Sequence, residues 1–138
     1  MQPTRTRSDL WMDLALVAFL IGFDVTARIL PHVPGVWPVA ASALFAGRML
    51  RWPLLSLIVP VGAVALSNLV LPGDHWAVLA TVAVALCVPA LLAMLARRWQ
   101  GAAPTAAAMI ASSLVFFAVT NFAVWAFDGM YPMTWQGL

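Results

Sequence analysis

The chain has 138 residues, 64% of them hydrophobic and only 9% charged, with seven Arg, five Asp and neither Lys nor Glu. So few charges cannot give that apolar fraction a water-facing surface, which excludes an ordinary soluble domain. The formal charge of +2 comes from arginines placed singly or in pairs, so no basic stripe for nucleic acid exists, and the lone Cys87 excludes an internal disulfide or CxxC site.

The apolar blocks predict an all-α, polytopic transmembrane bundle of about five spans forming one domain over 1–138. A spanning helix needs about 20 apolar residues to cross roughly 30 Å of hydrocarbon. The first block, about 10–30, follows Arg5 and Arg7 but runs past a signal-peptide core and lacks a small-x-small exit, so it reads as a retained helix closed by Pro31 and Pro34. The second, about 36–50, is short and reads as a tilted or shielded span. The third covers about 52–71 and ends at Pro72 and Gly73; the fourth, about 75–96, ends at Arg97 and Arg98; the fifth covers about 104–127.

Orientation follows from the arginines, which accumulate in short cytoplasmic loops. With the N-terminus in the cytoplasm, Arg5, Arg7, Arg48, Arg51, Arg97 and Arg98 all lie inside and only Arg28 lies outside. The expected setting is the bacterial inner membrane. Trp37, Trp76 and Trp135 then mark the outer interface and Trp11, Trp52 and Trp99 the inner one.

Within the spans, polar side chains are the candidates for function, because they are costly in hydrocarbon unless partnered. Asp24 and Arg28 stand four apart near the outer end of the first helix and are expected to pair. Ala18 and Gly22 form a small-xxx-small step suited to helix packing, within the bundle or against a partner subunit. Ser67, Asn68, Thr120 and Asn121 fall in outer halves, where they bond one another or line a cavity. His32 and His75 sit at span ends with no second ligand at metal spacing, so no metal site is expected. No nucleophile–base pair or phosphate-binding glycine loop is present, so catalysis is not expected.

Several separated stretches carry a resemblance. They are Arg28, Pro31, His32, Pro34 and Pro38; Ala43, Leu44, Phe45, Ala46 and Gly47; Phe116, Phe117, Thr120, Asn121, Phe122 and Trp125; and Tyr131, Pro132, Thr134, Gly137 and Leu138. Collinear over most of the chain, they resemble small bacterial membrane proteins of uncharacterised function that look like the substrate-binding S components of energy-coupling-factor vitamin transporters. The chain departs from that pattern at Asn68, where an acidic residue is usual, and stops where a sixth helix is expected. The resemblance implies a membrane-embedded subunit that binds a vitamin-like small molecule and relies on partner subunits for ATP hydrolysis. It also makes Cys87 a remote candidate for a cobalt ligand, although its place about twelve residues into the fourth helix, roughly 18 Å deep, suits a buried inert thiol better.

The expected ligand site gathers Arg28 and His32, Asp74 and His75, and Asn121, Trp125 and Tyr131 from the three outer segments, the fifth helix presenting Asn121 and Trp125 on one face. The competing expectation is a non-catalytic accessory subunit that packs into a larger respiratory, photosynthetic or transport assembly. The two differ in whether the outer polar residues converge on a cavity or face neighbouring chains. The cofactor, if any, is not legible.

Overall fold

The computed structural model describes residues 7–30, 38–71, 75–99, 101–127, 129, 131–134 and 136. Among them are five α-helices and no strand: α1 Arg7–Ile29, α2 Val39–Met49, α3 Ile58–Val70, α4 Trp76–Leu95 and α5 Ala102–Phe127. Short 3₁₀ turns at Pro53–Leu57 and Ala96–Arg98 precede α3 and follow α4.

Four segments are long and apolar enough to cross a membrane, namely α1, the 3₁₀–α3 unit Pro53–Val70, α4 with its 3₁₀ end, and α5. The chain is thus an all-α membrane protein with transmembrane helices. The second expected span is the exception, since α2 has 11 residues and a rise of about 16 Å.

Prolines set the local boundaries. Pro38 occupies the N-cap of α2 and Pro53 opens the first 3₁₀ turn, positions where a missing N–H is harmless. Pro60 falls in the first turn of α3, where the N–H groups have no intrahelical acceptor. Pro89 lies inside α4, fully buried, and deprives the Ala85 carbonyl of its helical donor.

The shortest helix is buried in the core. α2 packs mainly on α4, α1 packs on α3, and α5 packs on α4 with slight contact to α2. Each of the three core clusters includes a residue of α2 or its C-cap: Ala46 and Leu50 with Val17, Leu20 and Val59; Val39 with Ala63, Val64 and Leu86; and Leu44 with Ala93 and Ala108. Small residues form the α2–α4 seam, with Ala43, Ala46, Ala90 and Ala93 all at 0% exposure. A Cβ added at Gly47 would lie 2.6 Å from the Ala90 carbonyl oxygen and 2.8 Å from the Ala93 Cβ, so only glycine permits this approach. Large apolar side chains such as Phe19, Leu69, Val84, Leu95 and Leu114 point outward instead, as suits a surface solvated by lipid.

One end of the bundle gathers the arginines. Arg51 pairs with Asp9 at the start of α1, while Asp13 accepts a 2.6 Å hydrogen bond from the Trp52 backbone N–H. From the end of α4, Arg97 Nε donates 2.7 Å to the Gly47 carbonyl, and its terminal nitrogen donates to the Leu50 carbonyl. These bonds occupy carbonyls that the end of α2 leaves without intrahelical donors. Arg48 donates 3.4 Å to the Trp99 carbonyl. Asp13 thus closes a link between α1 and the start of the 3₁₀ turn that precedes α3.

Candidate functional site

The end of the bundle away from Arg48, Arg51 and Arg97 holds a buried polar cluster drawn from α1, α2 and α3, with Arg28 in it. Asp24 is at 0% exposure and accepts a 2.8 Å hydrogen bond from the Ser42 hydroxyl. One turn further along α1, Arg28 donates 2.7 Å to the Ser67 hydroxyl, which itself donates to the Ala63 carbonyl at 2.6 Å. The expected Asp24–Arg28 pair is therefore corrected: each side chain engages a different helix, and among the described residues the ion pair present is Arg51–Asp9. Helical spacing placed Asp24 and Arg28 within reach of each other, but serines from neighbouring helices offer closer partners. Asp24 Oδ2 is buried without a hydrogen-bond partner, leaving one acceptor position in this cluster, and the amide oxygen of Asn68 on α3 is likewise buried without one.

Those of the sequence-predicted ligand residues that the structure describes do not converge. His75 caps α4, its Nδ1 accepting 3.3 Å from the Ala77 N–H. Asn121 is exposed and its amide donates 2.7 Å to the Phe117 carbonyl of its own helix. Trp125 donates 3.1 Å from Nε1 to the Pro132 carbonyl and lies against Phe122, and Tyr131 is half-exposed. Because α5 packs on α4 while α1 packs on α3, Asn121 and Trp125 are not brought to Arg28. His32 and Asp74 lie outside the described residues.

Ala18 and Gly22 are both exposed, and a Cβ added at Gly22 would meet nothing within 4 Å. Their step therefore does not pack inside the bundle; the seam that uses small residues is α2–α4. Cys87 is half-buried and donates to the Ala83 carbonyl at 3.3 Å. Among the described residues no three His, Cys, Asp or Glu side chains come together.

A cavity of about 450 Å³ lies elsewhere, between α2, α4 and α5. Val39 and Ala40 from the first turn of α2, Leu86 and Pro89 from α4, and Met109, Ser112, Ser113, Phe116 and Phe117 from α5 form its walls. On α5 these fall in two rows, 109–113–117 and 112–116, at the four-residue spacing of one helix face. Ser112 is nearly fully buried; its hydroxyl donates 2.6 Å to the Ala108 carbonyl, and that of Ser113 donates 2.9 Å to the Met109 carbonyl. Sequence reasoning passed over this site. The local signals were the Ser112–Ser113 pair, Pro89, and Phe116 and Phe117 of the resemblance, and none says which helix it will face.

Comparison with curated proteins and with solved structures returns no match. The family model described as a family of unknown function, DUF6580, matches residues 8–138, nearly the whole chain, and the protein belongs to that family.

Proposed function

We propose that this protein is a non-catalytic, multi-pass subunit of the bacterial inner membrane, N-terminus in the cytoplasm, that binds a small molecule within the bundle. In this it is similar to the S components of energy-coupling-factor transporters, with partner subunits supplying ATP hydrolysis. The observation that carries the reading is the cavity between α2, α4 and α5. Its volume of about 450 Å³ falls in the range of roughly 300–1,000 Å³ typical of ligand sites. The placement of the arginines supports the orientation, because the starts and ends holding Arg48, Arg51 and Arg97 meet at one end of the bundle.

A second reading, the accessory subunit, draws on a specific observation: Ala18 and Gly22 leave a smooth, unpacked strip on α1, and such strips let a neighbouring helix approach closely. Native mass spectrometry of the full chain, released from detergent, separates the two. The binding reading expects a small-molecule adduct that disappears when Ala40→Trp fills the cavity. Adduct-free protein, held instead in fixed stoichiometry with other membrane subunits through the Ala18–Gly22 face, overturns it.

A further inference from the structure

The walls of the cavity define what kind of molecule fits, an inference that rests on the binding reading above. We infer that the cavity takes an uncharged, membrane-partitioned molecule bearing a hydrogen-bond donor, of the class of a long-chain or isoprenoid alcohol, which enters sideways from the hydrocarbon. Three observations converge on this class.

The first is charge: no Arg, Asp or His is among the nine lining residues, seven of which are apolar. A carboxylate or phosphate held there would lack a counter-charge, at a cost of several kcal/mol. The second is hydrogen-bond polarity. Both serine protons are already spent on carbonyls of α5, so what Ser112 and Ser113 offer the cavity is lone pairs. Those lone pairs complement a ligand hydroxyl that donates, and leave a ligand carbonyl without a partner.

The third is depth and access. Ser112 stands ten residues beyond the first residue of α5, about 15 Å along a helix that rises 1.5 Å per residue, which is close to the middle of a hydrocarbon core roughly 30 Å thick. There Ser113 and Phe117 are exposed on the outside of the bundle, Phe117 at 68%. Contact between α2 and α5 is slight. The wall between these two helices is therefore open at the level of the lipid tails, a route for a molecule dissolved in the bilayer rather than in water.

The test uses the full chain in phospholipid nanodiscs and three diazirine photoprobes of equal chain length, an alcohol, a carboxylic acid and an alkane. The inference expects saturable labelling of the segment 109–117 by the alcohol, at least fivefold less by the acid at pH 8, and loss of alcohol labelling in Ala40→Trp. The double substitution Ser112→Ala, Ser113→Ala is expected to lower alcohol labelling about fivefold, equivalent to roughly 1 kcal/mol of hydrogen bonding, and to leave alkane labelling unchanged. This second variant removes no packing volume of consequence, so it decides the matter if Ala40→Trp does not fold. Equal saturable labelling by acid and alcohol overturns the ligand class while the cavity reading stands. Labelling that rises linearly with every probe, as at the exposed Leu69 and Leu95, means bulk acyl chains only and overturns both.

Discussion

Replacing Gly47 by alanine probes the α2–α4 seam with a single methyl group. The new Cβ would sit 2.6 Å from the Ala90 carbonyl oxygen, about 0.8 Å inside the 3.4 Å at which ordinary contact begins. The obstacle is backbone, so no rotamer change relieves it and the helices must separate. Overpacking of this kind costs about 1–3 kcal/mol, offset by the better helix propensity of alanine, worth up to about 1 kcal/mol. The expected net loss is about 1–2 kcal/mol. Gly22→Ala is the internal control, because the same methyl group there meets nothing within 4 Å and α1 gains helix propensity at no packing cost. Reversible unfolding of the full chain in mixed micelles, followed by circular dichroism against increasing denaturing detergent, gives both values. If Gly47→Ala is as stable as Gly22→Ala, the close approach of α2 to α4 is wrong.

The remaining expectations concern polar links and sidedness. Arg97→Leu removes two hydrogen bonds to the carbonyls of Gly47 and Leu50 and is expected to cost about 2 kcal/mol, whereas Arg98→Leu, at an exposed position, should leave the same unfolding midpoint unchanged; equal effects would refute the capping role. Ser42→Ala should cost about 1–2 kcal/mol with Asp24 present and close to nothing in an Asp24→Leu background; an undiminished cost in that background would disprove the α1–α2 bond. In a Cys87→Ser background, Leu71→Cys should label from outside sealed cells and Trp99→Cys only after permeabilisation, and labelling of both from one side contradicts the proposed orientation.

The spans were legible because length and hydropathy alone decide whether a segment crosses a membrane. Four of the five predicted blocks have that length, and the fifth, α2, was recognisable as short. Where the prolines acted through missing N–H groups, boundaries moved by a few residues, as at the 3₁₀ turn from Pro53. Facing was another matter. The few polar residues of α4 and α5, among them Thr81, Ser112, Ser113, Thr120 and Asn121, do not gather on one face, so the sequence does not say which side of α5 meets α4. Asn121 accordingly looked like a cavity residue and instead bonds its own helix at the surface. Asp24 is fully buried and Arg28 partly so, but their partners, Ser42 and Ser67, lie 18 and 39 residues away in the chain. Only the order of helices in space reveals such partners, and the cavity between α2, α4 and α5 depends on that order too.

The pattern of helix contacts also orders events during biosynthesis. Chains emerge N-terminus first, and early segments associate before later ones arrive. The α1–α3 and α2–α4 pairings need nothing from α5, which rests mainly on α4. The first four helices are thus able to dock while the fifth is still on the ribosome, leaving the Leu86–Pro89 face of α4 open to the bilayer. The cavity comes into being only when Met109, Ser112 and Phe116 arrive to form its last wall, so the space between α2, α4 and α5 is a product of the last step of assembly.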